Sequence, residues 1–494
     1  MASMPRAESP KIAREKEEME TLSSLVWSVP FLVAGLMLLL LVVAMSFHKI
    51  GPNQVGLVTK RFGKTKTTSG PISLNRESGY QANLLMSGLP FKLWPLYDVE
   101  KHPWVQIPPG EIGLVVSQIG GPLPTGAKSA VYRPEFGQFV DLKAFLEKGG
   151  QQGVQRPVLP PGALLPLHPV AFLVMTKSKQ FGLAVNEQYR DGKFGPEHFG
   201  VEAEDLILKV IKPRHEEGKT IDMVGIVTTN EGDPLDSGDM AGRLGRFDDV
   251  KQMEAENKSD ADIADVLIGN KNRLHNNYQD FQAFLDNGGK IGLQHDPLLY
   301  GAYTVNPYLV RVETVPMLVV KQGEVAVIKA AVGLPTEDTS GAEFKFGSIV
   351  KPGHRGIWQE PLRTGKYTIN PRIYSAEIVD TKILTLNWAA ATSQAHNLDR
   401  GLSQIEAKSK EGFVFKIDLQ VQIHVADRLA PKVISMVGTM QNLVNEVLQA
   451  VVGNYFRDQL QGMGATTFIE QRASVQLKAQ TYIEEQIRKY NVEM

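Results

Sequence analysis

The sequence predicts an α+β protein that has an N-terminal transmembrane helix, several repeated small β-rich units and a C-terminal α+β module leading into a helix. Three features carry this prediction: an uncharged apolar run, glycine and proline spacings that recur along the chain, and a stretch of apolar–polar alternation followed by helical patterns. With 494 residues, the chain has room for about three domains of about 150 residues each.

The composition excludes several kinds of chemistry. The 53 Lys and Arg residues balance the 54 Asp and Glu residues, so the chain lacks the basic surplus typical of nucleic-acid binding, and no nucleic-acid partner is expected. Because the chain has no cysteine, it forms no disulfide, thiolate zinc site or iron–sulfur cluster, and it has no cysteine nucleophile.

The run Leu25–Phe47 contains no charged residue and predicts a transmembrane helix behind a charged leader, residues 1–24. A helix over this run is about 34 Å long, enough to cross a hydrocarbon core of about 30 Å. A buried core helix and a cleaved signal peptide are the alternatives. The run is longer than the apolar part of a signal peptide, and no small-residue cleavage site follows it.

The flanking charges give little information on orientation. Basic residues occur equally on both sides of the run, at Lys11, Arg14 and Lys16 before it and at Lys49, Lys60 and Arg61 after it. Translocation of the charged leader is costly, and a cysteine-free body suits an oxidising compartment. We therefore expect a single-pass protein of the cell membrane with its body on the extracytoplasmic side.

Internal similarity divides the body into β-rich regions. Ile112–Gly126 and Val224–Gly238 share the pattern Gly-x-Val-x4-Gly-x-Pro-Leu-x2-Gly, and both are followed by Ala-Phe-Leu-x2-Gly-Gly-x2-Gly-x-Gln. A partial copy follows Gly323, and residues 51–95 contain a fainter one. Each copy opens with an apolar β-branched strand and closes with a strand ended by proline. We predict a first β-rich region over 48–215 and a second, duplicated one over 216–378.

Two polar stretches separate these strands. Ser178–Glu217 and Asp239–Asn277 are rich in charges of both signs, and the second predicts a solvated helix or lid without chemistry of its own. Glu217–Thr220 reads Glu-Gly-Lys-Thr, the end of a phosphate-binding loop, but Pro213 stands where such a loop needs its first glycine. Nucleotide binding is therefore not predicted there.

The C-terminal region, 379–494, combines one strand with three helices. Apolar residues alternate with polar ones over Phe413–Val425, which predicts a half-buried strand. Helical patterns follow over Leu429–Val437, Met440–Gln461 and Phe468–Tyr490. The last helix predicts the start of a coiled coil or a subunit interface. Its near-heptad positions are Ile469, Gln476, Ile483, Ile487 and Tyr490.

The order of these parts resembles the SPFH superfamily (stomatin, prohibitin and flotillin; band 7). The resemblance is carried by the N-terminal span, Pro-Pro-Gly-Glu-Ile-Gly-Leu-Val at residue 108, Glu-Gly-Phe-Val-Phe-Lys-Ile-Asp at residue 411, and the helices that end in Ile-Glu-Glu-Gln-Ile-Arg-Lys-Tyr-Asn-Val-Glu-Met. The Ala-Phe-Leu motifs resemble a bacterial flotillin-like branch whose first SPFH subdomain is extended. In that family a terminal strand leads into a coiled coil. Here Tyr490–Met494 ends at that strand, so either the sequence is part of a longer protein or the coiled coil is absent.

The resemblance implies a membrane-anchored scaffold. Many copies would assemble side by side into a ring or cage that organises a membrane microdomain and encloses or regulates other membrane proteins. The implied partners are further copies of the chain, membrane lipids, and a membrane protease of the AAA type or other membrane-protein clients. The resemblance implies no cofactor.

A membrane-tethered hydrolase is the first alternative. The ten histidines form no His-Glu-x-x-His motif and no helical pair, and no Gly-x-Ser-x-Gly elbow is present. His354 follows a Pro-Gly turn and is interpreted as a turn residue, and His424 falls on the polar side of its strand. We predict no enzymatic activity and assign no catalytic, cofactor-binding or metal-binding residue.

Two further alternatives remain. A vault-like shell is built from similar repeats, but such shells are soluble and the predicted span argues against one. A lipid-binding adaptor without large assembly would use the basic residues that follow the span, each worth about 1 kcal/mol against anionic lipid. These residues are Lys60, Arg61, Lys64 and Lys66.

Overall fold

The computed structural model describes residues 32–63, 70, 72–74, 77–185, 195–341, 346–389 and 397–494. The chain falls into two compact units, Met1–Leu208 and Lys209–Met494. The predicted leader and residues 25–31 of the predicted span lie outside the described residues.

Residues 32–46 form helix α1, whose side chains are nearly all exposed. Apart from the buried Ser46, this helix has no polar side chain, and its exposed residues include Leu36, Leu38 and Leu40. Within the described ranges, no helix combines the length and the apolar character that crossing a bilayer requires.

The rest of the first unit is built from short antiparallel strands. Two four-stranded sheets have the orders β2-β3-β1-β4 and β10-β9-β6-β7, and β5 pairs with β8. The only α-helix described here besides α1 is α2 (Leu142–Glu147), which Asp141 caps at its N-terminus. The strands are β1 (Gln54–Lys60), β2 (Ile72–Ser73), β3 (Gly79–Gln81), β4 (Tyr97–Pro103), β5 (Val105–Gln106), β6 (Leu114–Ser117), β7 (Gly153–Val154), β8 (Leu164–Leu165), β9 (Phe172–Met175) and β10 (Gln180–Phe181).

The second unit begins with strands of the same kind. The sheets have the orders β15-β14-β17 and β20-β21-β19-β23, and the pairs β11-β16, β12-β13 and β18-β22 stand apart. Three α-helices lie among these strands: α3 (Asp248–Ala255), α4 (Asp260–Ile268) and α5 (Phe281–Asp286). The strands are β11 (Lys209–Ile211), β12 (Arg214–Glu216), β13 (Lys219–Ile221), β14 (Met223–Thr229), β15 (Gly292–Leu293), β16 (Gly301–Tyr303), β17 (Val310–Pro316), β18 (Leu318–Val320), β19 (Glu324–Ala330), β20 (Ile349–Val350), β21 (Gly356–Trp358), β22 (Gly365–Tyr367) and β23 (Tyr374–Asp380).

Four antiparallel strand pairs of the described chain are built alike: β1 with β4, β6 with β9, β14 with β17, and β19 with β23. We call the surrounding residues β-segments 1 to 4, covering 50–103, 105–175, 209–316 and 318–380. In every β-segment a small residue at the start of the opening strand bridges to a leucine of the intervening loop. It is the third residue of β1, β14 and β19, and the residue just before β6. These bridges join Gly56 to Leu85, Gly113 to Leu159, Gly225 to Leu298, and Ala326 to Leu362.

Close packing explains the glycines at these bridges. A Cβ atom added to Gly113 would lie 2.6 Å from Cδ1 of Ile107, and one added to Gly225 would lie 2.4 Å from Cδ1 of Ile211. Both distances are too short for two carbon atoms, so a larger residue at either position would have to displace the isoleucine methyl group. In β-segment 4 the corresponding Ala326 is fully buried.

The C-terminal module contains the last four strands and the helices that follow them. Strand β24 (Leu384–Trp388) pairs with β27 (Leu419–Ile423), and β25 (Ile405–Lys408) pairs with β26 (Val414–Ile417). Helix α6 (Ala430–Val437) leads to α7 (Met440–Asn442), a π-helical turn (Leu443–Leu448) and α8 (Gln449–Gly462), and the chain ends with α9 (Ala465–Glu470) and α10 (Arg472–Arg488). One apolar core joins these elements to Val327 and Val379 of β-segment 4.

Several sequence predictions need correction here. The single strand expected over Phe413–Val425 is two strands, because the chain breaks at Asp418, whose carboxylate accepts a hydrogen bond from the Gln404 side chain at 2.7 Å. The helices expected from Leu429 and Met440 are present, whereas the last predicted helix is divided into α9 and α10.

Only part of the near-heptad stripe predicted for the last helix is buried. The buried part packs against other elements of the same chain. Ile483 and Ile487 lie in the core of the same module, together with Val475 and Ala479 of α10. Ile469 is exposed. The buried stripe therefore has four-residue spacing and packs within the chain.

The stretch Asp239–Asn277 is more than a solvated surface. It forms α3 and α4, which bury Val250, Ile263 and Leu267 against β-segment 4 in a shared core. The charged side chains hide this apolar face in the sequence.

Candidate functional site

A buried imidazole joins β-segment 2 to β-segment 1. His168 lies in the loop between β8 and β9, just before a proline, and its Nδ1 accepts hydrogen bonds from the backbone N–H groups of Val170 and Ala171. The hydrogen therefore sits on Nε2, which donates to the carbonyl oxygen of Gln81 at 3.1 Å. Burial lowers the pKa of His168 to about 4, so the ring is neutral at neutral pH.

An asparagine makes the corresponding contact in β-segment 4. The Asn370 side-chain N–H donates to the carbonyl oxygen of Gln294 in β-segment 3 at 2.9 Å. The two acceptor glutamines are themselves held alike, since the side-chain amides of Gln81 and Gln294 both donate to two carbonyls of their own loops. In both units, therefore, a side chain that precedes a proline donates a hydrogen bond to the backbone carbonyl of a glutamine in the preceding β-segment and so connects the two β-segments.

A charged network occupies the junction of β-segments 3 and 4. The guanidinium of Arg243 makes a two-pronged ion pair with Asp249, with distances of 2.6 and 2.8 Å. Lys271 approaches the same carboxylate at 3.2 Å. The Arg243 side chain is only 1% exposed and that of Asp249 is 28% exposed, and the guanidinium also lies 5.1 Å from the ring of Phe247. Pairing compensates for the burial of this cation.

A second chain of contacts continues from this network. Asp296 accepts a hydrogen bond from the backbone N–H of Lys271 at 2.8 Å, and its other oxygen lies 2.6 Å from Nδ1 of His295. Nε2 of His295 lies 2.7 Å from the hydroxyl oxygen of Tyr374 on β23. The side chains of His295, Asp296 and Tyr374 are all buried.

These contacts set the ionisation of the network. Burial raises the pKa of Asp249, but the hydrogen bond and charge of Arg243, with a contribution from Lys271, outweigh it and lower the pKa to about 2. In Asp296 the effect of burial is likewise exceeded by the hydrogen bond and charge of His295, so the pKa of Asp296 is lowered. Burial raises the pKa of Tyr374. Both carboxylates are charged and the phenol is neutral at neutral pH.

The Asp296–His295–Tyr374 arrangement has the partners of a proton relay but is closed to solvent. Both ring nitrogens of His295 are engaged, and the ring packs edge-on against Phe247 and Tyr374. A catalytic relay must reach a substrate. The geometry favours a structural role, in which these hydrogen bonds hold β-segment 3 against β-segment 4. The sequence contains little signal for this arrangement, because Tyr374 lies 79 residues after His295 and only Gln294, just before His295, belongs to a recurring motif.

The histidines noted in the sequence lie apart from this network. His354 is buried, and its ring nitrogens contact Glu254 of α3 at 2.8 Å and the carbonyl oxygen of Pro335 at 2.7 Å. His424 is partly exposed and lies 3.1 Å from the carboxylate of Glu493, to which it also bridges through the backbone. His354 therefore attaches a helix, and His424 attaches the end of the chain.

The other candidate sites are also placed by the structure. Glu217 and Gly218 form the left-handed turn of the β12–β13 hairpin, so this segment does not lead from a strand into a helix as a phosphate-binding loop does. In the described part of the chain, no group of three or more acidic residues or histidines is arranged to hold a metal ion. Arg61 pairs with Asp98 at 2.7 Å, and Lys64 and Lys66 lie outside the described residues.

Residues 318–494 match the SPFH domain / Band 7 family. This part of the chain is an SPFH domain. The match begins at the first residue of β18, so the SPFH domain comprises β-segment 4 as well as the region 379–494 to which the sequence analysis assigned it. No curated protein matches the chain.

The charged network and the helices α3 and α4 therefore join β-segment 3 to the SPFH domain. Tyr374 lies inside the domain and His295 before it. From α3, Glu254 reaches His354, and from α4, Asp260 accepts a hydrogen bond from Gln359. These contacts make β-segment 3 an extension of the SPFH domain rather than a separate module on a linker.

Proposed function

We propose that this protein is a membrane-anchored scaffold that assembles into a homo-oligomeric ring or cage on the cell membrane. The assembly organises a membrane microdomain and encloses or regulates other membrane proteins. The SPFH domain at residues 318–494 is the observation that carries this proposal, since membrane association and self-assembly are expected of the superfamily that the chain resembles.

The anchor in this proposal is the segment Leu25–Phe47, crossing the membrane once. Its described part is helical and exposes Leu36, Leu38 and Leu40. Exposed apolar side chains over several helical turns need an apolar surrounding, which lipid provides. The body is assigned to the extracytoplasmic side, because the charged leader is costly to translocate.

Exposed apolar residues of the SPFH domain support contacts between copies. Ile469 of α9 and Leu477 of α10 are each 66% exposed. Phe413 and Val414, at the start of β26, are exposed as well. Phe415 packs edge-on against Phe468 with 5.2 Å between ring centroids, so the β26 region and α9 are neighbours. Large apolar side chains on a surface are typical of interaction sites.

The proposal assigns the protein no catalytic step. Its partners are other copies of the chain, membrane lipids, and a membrane protease of the AAA type or other membrane-protein clients. The buried relay at His295 has the connectivity of a structural tie, and this favours a scaffold over a tethered hydrolase.

The decisive experiment is direct imaging. The full-length protein is solubilised in mild detergent, and its particles are examined by negative-stain electron microscopy and mass photometry. Closed rings or domes of uniform diameter are expected. A population of monomers and dimers at the same protein concentration would contradict the scaffold proposal and favour a lipid-binding adaptor.

The adaptor alternative has less support from the charges near the anchor. Of its four basic residues, Arg61 is already paired with Asp98, and the hydrogen bond and charge of Arg61 lower the pKa of Asp98. Neutralising Lys60, Lys64 and Lys66 while retaining Arg61 tests it, since an adaptor would lose affinity for anionic vesicles. The scaffold would keep its membrane attachment through Leu25–Phe47.

A further inference from the structure

A group of exposed apolar side chains adjoins the C-terminal end of α1. Phe47 follows the helix, and the others come from the closing loop of β-segment 1, where they are 44–63% exposed. We call this surface the apolar collar. Its members are Phe47, Met86, Leu89, Phe91 and Leu93.

Backbone hydrogen bonds fix the apolar collar to the end of α1. The N–H of Ile50 donates to Gly88 at 2.9 Å, and that of Lys92 donates to the carbonyl of Ser46 at 2.8 Å. The hydroxyl of Ser46 accepts a hydrogen bond from the N–H of Trp94 at 3.0 Å and donates to the carbonyl of Val42 inside the helix. The loop therefore stays level with the last turn of α1.

Comparison with the other β-segments shows that this exposure is particular to β-segment 1. Leu93 precedes Trp94-Pro95 just as Leu167 precedes His168-Pro169 and Ile369 precedes Asn370-Pro371. Leu167 is 4% exposed, in a core that includes Leu57 of the preceding β-segment, and Ile369 is buried beside Phe247 of its own predecessor. Leu93 is 44% exposed, and the described residues that precede β-segment 1 form α1 and not another β-segment.

The charges around the apolar collar suit the interface of a bilayer. Between Ser78 and Tyr97 the chain contains no carboxylate, and Lys92 is its only charged residue. Lys92 lies 5.3 Å from the ring centroid of Tyr97, and Lys49 is exposed at the end of the helix. Aromatic and basic side chains beside an apolar surface are typical of the layer in which headgroups meet acyl chains.

We propose that the apolar collar is a lipid-binding surface that lies in the interfacial layer of the membrane entered by α1. Lipid thereby covers the end of the β-segment series, where a preceding β-segment would otherwise pack. The proposal rests on the proposed function in one respect, that Leu25–Phe47 anchors the chain. Lys49 and Lys92 give the surface a preference for anionic lipids.

Because the chain has no cysteine, single labels test the proposal directly. An environment-sensitive fluorophore is attached to Leu89→Cys in the apolar collar, to Leu38→Cys in α1, or to Tyr300→Cys, a 71% exposed site in the second unit. The full-length variants are reconstituted into vesicles of phosphatidylcholine and phosphatidylglycerol. A quenching doxyl group is placed either near the lipid headgroup or deep in the acyl chain.

The expected result is deep quenching at position 38, shallow quenching at position 89 and none at position 300. Quenching at position 38 without quenching at position 89 would overturn the collar proposal and leave the anchor intact. No quenching at either site would contradict the anchor and the collar together. Equal shallow quenching at positions 89 and 300 would also overturn the collar proposal, because the body would then touch lipid without preference.

Discussion

Val250 of α3 packs against Gly353, at the place where Phe145 packs against Gly150 in β-segment 2 and Phe284 packs against Gly289 in β-segment 3. A Cβ atom on Gly353 would lie 2.6 Å from Cγ1 of Val250. In β-segments 2 and 3 the covering aromatic ring comes from the segment's own short helix, α2 or α5. In β-segment 4 the side chains that pack on the equivalent glycine, Gly353, come from the helices of β-segment 3. The packing of the SPFH domain therefore depends on residues that precede it.

This relationship predicts the outcome of a double-mutant cycle. Gly353→Ala should destabilise the second unit by about 2–3 kcal/mol, because the new methyl group meets Val250 and the backbone is held at a φ of +96°. Val250→Ala alone should cost about 1–2 kcal/mol through a cavity. The double variant should lose less stability than the two single variants together. The smaller side chain at position 250 leaves space for the new methyl group at position 353.

Chemical denaturation with intrinsic tryptophan fluorescence measures these losses. Gly323→Ala is the matched control, since Gly323 has a φ of +79° and no atom within 4 Å of an added Cβ. It should show only the backbone penalty. Strict additivity of Gly353→Ala and Val250→Ala would contradict the packing argument.

A second prediction concerns acid stability of the charged network. The folded pKa of Asp249 is about 2 against an ordinary value of 3.8, so its ion pair stabilises the fold fully above about pH 4 and loses that effect as the pH falls toward 2. After allowance for solvent screening of a partly exposed carboxylate, this contribution is about 1–2 kcal/mol.

Asp249→Asn should remove this pH dependence and destabilise the protein at neutral pH, because Arg243 is left buried without its counter-ion. Asp248→Asn is the control, since its partner Lys251 and Asp248 itself are both largely exposed. Unfolding midpoints are compared between about pH 5 and pH 2.5. Parallel curves for Asp249→Asn and the unchanged protein would refute the prediction.

A third prediction follows from the buried hydrogen bond between His168 and the carbonyl oxygen of Gln81. Burial holds its folded pKa at about 4 against an ordinary 6.5. The unfolded chain therefore takes up a proton in this window and the folded one does not, so stability falls as the pH drops from about 6.5 to 4. The loss is up to about 3 kcal/mol for the first unit.

His168→Asn should abolish this acid sensitivity and stay within about 1 kcal/mol of the original stability at neutral pH, because Asn370 makes the same hydrogen bond in β-segment 4. Thermal unfolding at neutral pH and at about pH 4.5 measures the difference. His215→Asn, at an exposed site on β12, serves as the control and should retain the acid sensitivity of the first unit. Retained sensitivity in His168→Asn would assign the effect elsewhere.

A fourth prediction tests the surface proposed for contacts between copies. Leu477→Glu places a charge on an exposed apolar position of α10 and should convert rings to small species, because burying an unpaired carboxylate at an interface costs several kcal/mol. Val210→Glu, at an exposed site on β11, should leave the particle mass unchanged in mass photometry. Rings of normal mass in Leu477→Glu would place the contact on another face.

The sequence predicted the strands and the order of elements best where one physical signal dominated. The apolar–polar alternation before Val425 correctly indicated which side of the strand is buried, since Val421, Ile423 and Val425 are buried. The break at Asp418 could not be predicted, because it depends on a side-chain contact with Gln404 in a different strand region. Apolar spacing in the last helix correctly indicated burial of Ile483 and Ile487. It could not distinguish the chain's own core from the surface of another copy.

The buried network escaped sequence analysis for a different reason. Arg243, Asp249 and Lys271 belong to a stretch whose mixed charges resemble an ordinary surface, and their pairing exists only once α3 has folded against β-segment 4. The apolar face of α4, with Ile263 and Leu267, was present in the sequence at helical spacing. The charges around it concealed this signal.

The likeness of the four strand pairs creates a hazard during folding. Strands with similar antiparallel pairing can exchange partners, so β6 could pair with β17 instead of β9 if all were exposed at once. The four pairs follow one another along the chain without overlap, however, so synthesis completes each pair before the opening strand of the next one emerges. This order favours vectorial folding, in which each strand pair closes before a competing strand leaves the ribosome.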